Sequence, residues 1–160
     1  MKLLVKFLVI SLLLPAYSYA SENSNKQTVM DKFDQLNVQT DRCMNVGRRT
    51  VEQVNDNWFQ SLEIQQKRLV LVELRKKALE RCVKDIEAEY TYAVFKYTAD
   101  TKDKTYLDAW LALNEDKTSN AYREALNKLP STEMKRLSES VTFYYPFDSF
   151  RTSKHLGLEE

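Results

Sequence analysis

Glycine is nearly absent from this chain, which has only Gly47 and Gly157 among its 160 residues. Strand-rich folds use glycine in their tight turns, and catalytic loops often use it where the backbone is strained. The scarcity of glycine therefore favours long helices over hairpin-rich sheets. We expect an all-α protein.

Histidine is scarcer still, because His155 is the only one. A Ser-His-Asp triad or a catalytic thiol would depend on this one residue near the end of the chain. The C-x-x-C and H-x-x-x-H spacings of zinc sites are missing, as are the Glu-x-x-His pairs of dimetal bundles. We therefore expect a protein that is not an enzyme and that uses no metal and no cofactor.

The first 20 residues, MKLLVKFLVISLLLPAYSYA, have the organisation of a secretory signal peptide. Lys2 and Lys6 stand at the charged end of an apolar run that Pro15 closes, and Ser18 and Ala20 frame a small-residue cleavage site. The run is shorter than the roughly 20 apolar residues of a membrane span. We predict cleavage after Ala20, a periplasmic or secreted location, and no integral membrane segment in the mature chain.

Neither sign of charge dominates the predicted mature chain, residues 21–160. It keeps 22 of the 24 basic residues and all 23 acidic ones, which leaves a net charge of −1. Such a balance provides no general attraction for nucleic acid or for an anionic membrane surface. Basic stretches such as LRKKALERCVKD contain acids at helical spacing, which is typical of a solvated helix face. We expect no nucleic-acid partner.

Apolar residues recur at helical spacing in two long stretches. The first runs from Phe33 to Trp58 and the second from Leu71 to Tyr97, in alternating steps of three and four residues. Shorter helical patterns follow, separated by the polar breaks TADTKDKT and NEDKTSN. The predicted helices cover about 29–60, 67–98, 106–114, 120–129 and 132–142, in a single domain of residues 21–160.

The two cysteines, Cys43 and Cys82, both lie on these apolar stripes. Disulfides persist in exported proteins, so we predict a Cys43–Cys82 disulfide. One continuous helix would separate the two residues by roughly 58 Å, whereas a disulfide needs Cα atoms within about 7 Å. The chain must therefore turn near the midpoint, between Leu62 and Glu63. For Cys82 the alternatives are an intermolecular disulfide, a catalytic thiol and a zinc ligand.

This disulfide predicts the architecture of the whole domain. The two long helices form a stapled antiparallel hairpin, the shorter C-terminal helices pack on it, and residues 143–160 form a non-helical tail rich in aromatic residues.

The aromatic stretch FYYPFDSF within that tail has two interpretations. Aromatic side chains bury large areas and also form binding hot spots. The tail either folds back over an open end of the helix bundle or exposes a strip that grips a partner protein or a glycan. If they are accessible to solvent, the candidate partner-binding residues are Tyr144, Tyr145, Phe147 and Phe150.

The segment VEQVNDNWFQSL followed by LRKKALERC is similar to the small periplasmic lysozyme-inhibitor domains of the LprI type. Val54, Asn55 and Trp58 match the first element of that pattern, and Cys82 matches the second. The chain departs from the pattern because no Trp stands shortly before Cys82 and no Arg-Asp pair stands there. The resemblance implies a helical hairpin that inhibits a lysozyme.

These observations favour an exported protein-binding module that occupies a partner, such as an inhibitor, an immunity-type protein or an accessory factor. One alternative is a helical enzyme that acts on cell-wall glycan through carboxylates such as Asp85, Glu87 and Glu89. Another is a structural or assembly factor that forms homodimers.

Overall fold

The structure, a computed structural model, describes residues 14–159, with side chains from residue 24 onward. Throughout that part of the chain the regular structure is helical and no strand occurs. Seven helices follow one another: α1 (Leu14–Val46), α2 (Asn57–Ser61), α3 (Ile64–Thr101), α4 (Thr105–Leu113), α5 (Asn120–Asn127), α6 (Ser131–Glu139) and α7 (Ser149–His155). The predicted all-α fold is confirmed.

A disulfide joins the two longest helices, α1 and α3, into an antiparallel hairpin. The Sγ atoms of Cys43 and Cys82 are 2.06 Å apart and their Cα atoms 6.0 Å apart. Because both cysteines are in this bond, the free-thiol, zinc-ligand and intermolecular alternatives for Cys82 are removed. The connection between α1 and α3 covers residues 47–63, and the predicted turn position at Leu62 and Glu63 lies at its end, directly before α3.

The first long helix ends well before the predicted residue 60. Helix α1 stops at Val46, and residues 47–56 are not helical. The backbone here bonds to the C-terminal part of the chain: the Arg49 carbonyl accepts the Asp148 N–H at 2.9 Å, and the Val51 N–H donates to the Thr152 hydroxyl at 3.0 Å. These long-range hydrogen bonds replace the bonds that a continued helix would make.

At its other end, α1 extends well beyond the predicted start near residue 29, since it includes the described residues from Leu14 onward. The predicted signal peptide falls largely on residues 1–13, which lie outside the described residues. Its cleavage after Ala20 therefore stays a prediction.

The prediction of a non-helical tail is wrong, because α7 occupies part of it. Asp148 caps the start of α7, its carboxylate accepting the Arg151 N–H at 2.9 Å. The helix ends at His155. Gly157 follows with a φ of +68°, which suits a residue without Cβ, and the Leu158 N–H returns to the Ser153 carbonyl. Tertiary bonds to residues 49–51 then hold α7 against the rest of its unit.

Backbone contacts divide the chain into two compact units. The first consists of the residues up to Leu36 together with Ile86–Glu115. It contains an aromatic row in which the buried Tyr90 ring contacts the rings of Phe33 at 5.6 Å and Trp110 at 5.0 Å. Aromatic packing therefore holds α1, α3 and α4 together within this unit.

The second unit consists of Asn37–Asp85 together with the residues from Asp116 onward. Its core draws on the extended linker, on helices α2, α3 and α6 and on the C-terminal segment. The buried residues that form it are Val51, Val54, Phe59, Val70, Leu71, Leu74, Leu129, Met134, Leu137, Phe143, Phe147 and Leu158. Each large apolar side chain stabilises the folded state by about 1.5–3 kcal/mol on full burial.

Within residues 14–159, no helix combines the length and apolarity needed to cross a membrane.

Breaking the disulfide is expected to lower the free energy of unfolding by about 4 kcal/mol, because the link constrains the unfolded chain over a separation of 39 residues. Urea unfolding of the oxidised protein and of a Cys43→Ala/Cys82→Ala double variant measures the difference. Equal unfolding midpoints for the two proteins would show that the disulfide does not stabilise the folded state.

Asp56 is expected to stabilise the folded state in two ways that can be measured separately. Its Oδ1 accepts the Phe59 N–H at the start of α2, and its Oδ2 lies 2.7 Å from the Arg136 guanidinium. We expect Asp56→Asn to keep the cap and lose the ion pair, and Asp56→Ala to lose about 1 kcal/mol more. Urea unfolding at neutral pH measures both, and equal stability of the two variants would show that the cap contributes nothing.

The same residue predicts a dependence on pH. The hydrogen bond from Arg136 lowers the pKa of Asp56 in the folded protein. A lowered pKa contributes stability above the ordinary Asp value of about 4, and this stability is lost as the pH falls through the lower value of the folded state. As the pH falls, the free energy of unfolding should therefore decrease less in Asp56→Asn than in the parent chain.

Candidate functional site

The aromatic segment, residues 143–150, belongs partly to the core and partly to the surface of the second unit. The rings of Phe143 and Phe147 lie 5.3 Å apart, and both side chains are buried. Tyr144, Tyr145 and Phe150 are 43%, 58% and 73% exposed. Phe147 is therefore corrected from a candidate contact to a core residue, because its ring fills the interior.

Arg49 fixes the backbone of this segment. Its Nε donates to the Pro146 carbonyl at 2.9 Å, and its Nη2 donates to the carbonyls of Thr142 at 2.8 Å and Tyr145 at 2.7 Å. Burial lowers the pKa of the Arg49 guanidinium. Three carbonyl dipoles and the Phe147 ring, 5.8 Å away, take the place of the water that this cation has lost.

Arg81 contacts both the backbone and the ring of Tyr144. Its Nη1 donates to the Tyr144 carbonyl at 2.7 Å, and its guanidinium carbon lies 4.4 Å from the centre of the Tyr144 ring. The Tyr145 ring meets the Tyr144 ring edge to face at 5.2 Å. We call the exposed rings of Tyr144 and Tyr145, together with the Arg81 guanidinium, the tyrosine platform.

The disulfide lies next to the residues that hold the tyrosine platform. Arg81 immediately precedes Cys82 on α3. On the other arm, the Gly47 N–H donates to the Cys43 carbonyl at 2.9 Å. A Cβ placed on Gly47 would lie 3.1 Å from that carbonyl oxygen and 3.4 Å from the Pro146 Cβ. The chain at the end of α1 therefore lies in van der Waals contact with Pro146 of the aromatic segment.

The remaining aromatic candidate lies on α7. Phe150 lines an open groove of about 420 Å³ together with Val72 and Arg68 of α3. This groove offers an apolar contact for a partner but contains no buried polar group.

The carboxylates proposed for glycan cleavage all lie on α3. Asp85 and Glu89 are exposed, Glu87 is half-buried, and Glu89 pairs with Lys32. Among the described residues, no group of three or more His, Cys, Asp or Glu side chains is arranged to hold a metal ion. His155 is the exposed last residue of α7. Glycan cleavage stays an untested hypothesis.

The residues that carry the resemblance to lysozyme inhibitors have different environments. Val54 is buried in the core, and Cys82 is in the disulfide. Asn55 and Trp58 line a shallow depression beside Arg136. The structure therefore leaves Asn55 and Trp58 as the members of this set that can reach a partner.

Sequence reasoning did not identify Arg49 and Arg81 as part of the site. Both occur in basic runs, where solvation is the ordinary explanation. The carbonyls that Arg49 binds are 93 to 97 residues away along the chain. No local signal marks such a pairing, although the position of Arg49 just after Gly47 places it at a helix end.

Comparison with protein-family models, with curated proteins and with solved structures finds no match to this chain.

Replacing Arg49 should loosen the aromatic segment. We expect Arg49→Met to lower the free energy of unfolding by about 3 kcal/mol, because it leaves three carbonyls without their charged donor. The matched control is Arg48→Met, since Arg48 is exposed and should change stability by less than about 0.5 kcal/mol. Urea unfolding provides the values. Equal loss in the two variants would show that Arg49 does not hold the segment.

Proposed function

We propose that the chain is exported and acts as a protein-binding module, occupying a partner protein through the tyrosine platform. The observation that carries this proposal is the combination of exposed rings and a fixed backbone. Tyr144 and Tyr145 are open to solvent, while Arg49 and Arg81 hold their carbonyls. Tyr and Arg are also the residue types that dominate binding energy at protein interfaces.

Rigidity favours binding because it lowers the entropy lost on association. Ordering a flexible backbone costs about 1–2 kcal/mol per residue. In the free protein, Arg49 already fixes the carbonyl of Tyr145, and Arg81 already fixes that of Tyr144. Tyr side chains also present a large contact area with few rotatable bonds. The platform therefore retains more of its contact energy as affinity than a mobile loop would.

The proposed location agrees with this role. Residues 1–20 resemble a signal peptide, and disulfides such as Cys43–Cys82 persist mainly in oxidising compartments. Inhibitors, immunity-type proteins and accessory factors of exported enzymes all act by occupying a partner there. An LprI-like lysozyme inhibitor is the most specific form of the proposal. A glycan-acting enzyme and a homodimeric assembly factor are the competing functions.

The proposal is tested by affinity capture with the oxidised mature chain as bait, from the extracytoplasmic fraction of its source cells. We expect a stoichiometric partner whose recovery falls at least about tenfold with a Tyr144→Ala/Tyr145→Ala bait, because truncating hot-spot residues costs about 2 kcal/mol or more. The matched control is Tyr92→Ala, since Tyr92 lies in the first unit and is even more exposed, at 70%, than the two platform tyrosines.

The outcomes separate the competing functions. Capture that is unchanged in the double variant, or the absence of any partner, contradicts the proposal. Recovery of the chain itself, with a dimer seen by light scattering, favours the assembly factor. Inhibition of a purified lysozyme that is lost in the double variant supports the LprI-like form. Release of soluble glycan that is lost in Glu87→Gln or Glu89→Gln favours the enzyme.

A further inference from the structure

The second unit also contains a pocket whose lining shares no residue with the tyrosine platform. It has a volume of about 450 Å³, which is within the usual range for small-molecule sites. Helix α3 contributes one wall, and the end of α5, the turn after it and the first part of α6 contribute the other. The lining residues used below are Glu73, Lys77, Leu126, Leu129, Met134 and Lys135.

The carboxylate of Glu73 is the unusual group in this pocket, because the residue is only 7% exposed. The Tyr122 hydroxyl donates to its Oε2 at 3.3 Å, and the Lys77 Nζ lies 3.6 Å from its Oε1. Both distances exceed the 2.7–2.9 Å that is typical of charge-assisted hydrogen bonds. A carboxylate has about four acceptor positions, so Glu73 retains capacity for a further donor.

Tyr122 remains a donor under all ordinary conditions. Its burial, together with the nearby charge of Glu73, raises the pKa of the phenol to about 12. The hydroxyl therefore keeps its proton and donates it in the hydrogen bond to Glu73 Oε2.

Two lysines give the same pocket positive charge. Lys77 is half-exposed and Lys135 is exposed, so both ammonium groups can turn toward a ligand. A ligand that carries only an ammonium group would be repelled by the lysines. A ligand that carries only a carboxylate would be repelled by Glu73. The pocket therefore complements a molecule that carries both charges.

The rest of the pocket is apolar. Leu129 and Met134 are buried members of the core, and Leu126 packs against it. Their side chains offer an apolar contact beside the charged groups. The ligand should therefore combine two opposite charges with a small hydrocarbon group.

We propose that this pocket binds a free α-amino acid with an apolar side chain. Its ammonium group donates to Glu73, its carboxylate accepts from Lys77 and Lys135, and its side chain contacts Leu129 and Met134. In an α-amino acid the ammonium and carboxylate groups are bonded to the same carbon, so one ligand can contact both the Glu73 Oε1 and the Lys77 Nζ, which lie 3.6 Å apart. This binding is independent of the tyrosine platform and involves no covalent step.

Isothermal titration of the oxidised mature protein tests the proposal, with L-leucine as the probe. We expect a dissociation constant below about 1 mM. Leucinamide lacks the carboxylate, 4-methylpentanoate lacks the ammonium group and glycine lacks the apolar side chain. Each should bind at least about tenfold more weakly, because each leaves one part of the pocket without its partner. Absence of leucine binding, or equal binding of any analogue, would overturn the proposal.

Variants connect the binding to particular side chains. Glu73→Gln should weaken leucine binding at least about tenfold, whereas the control Glu80→Gln should not, since Glu80 is exposed on the same helix. Lys77→Met provides a second test. Lys77 is half-exposed, so this variant does not replace a buried group. It should weaken leucine binding, which loses a donor to its carboxylate, but should not weaken leucinamide binding, which loses only a repelling charge. Leucine binding that is unaffected in Lys77→Met would overturn the proposal.

Discussion

The disulfide between Cys43 and Cys82 is the constraint on which the rest of the second unit depends. It fixes α1 and α3 side by side at the level where each meets the aromatic segment. Cys82 is preceded by Arg81, which binds Tyr144, and Cys43 accepts the N–H of Gly47, next to Pro146. The bond therefore connects the folding of the hairpin to the placement of the exposed rings.

The aromatic segment is both a core element and a surface element. Phe143 and Phe147 are directed inward, and the two tyrosines between them are directed outward. Arg49 makes this division possible, because it donates to three backbone carbonyls of residues that lie outside the helices. The same interactions that hold the segment to the core therefore also fix the surface that we propose for binding.

The hairpin could be predicted from sequence because two separate constraints coincide. The cysteines require a turn near their midpoint, and the apolar stripes change over at the same place. The end of α1 could not be predicted in this way, since Val51 and Val54 continue the helical spacing although the chain there is extended. Hydrogen bonds to residues about 100 positions away decide that conformation.

The candidate site was predictable only in part. The composition of FYYPFDSF indicates that aromatic residues gather there, but it does not indicate that Phe147 faces inward and Tyr145 outward. Helix α7 had recognisable signals in Asp148 and Gly157, which mark its two ends. Arg49 and Arg81 had no comparable signal, because their partners are distant carbonyls and a ring.

Amide hydrogen exchange in the aromatic segment tests the central claim most directly. The amides of Tyr144 and Asp148 donate to the carbonyls of Ser140 and Arg49, and they should exchange slowly in the oxidised protein. Reduction of the disulfide should accelerate both, while the amides of α4 in the first unit change less. Rapid exchange at Tyr144 and Asp148 in the oxidised protein, or no change on reduction, would contradict the account.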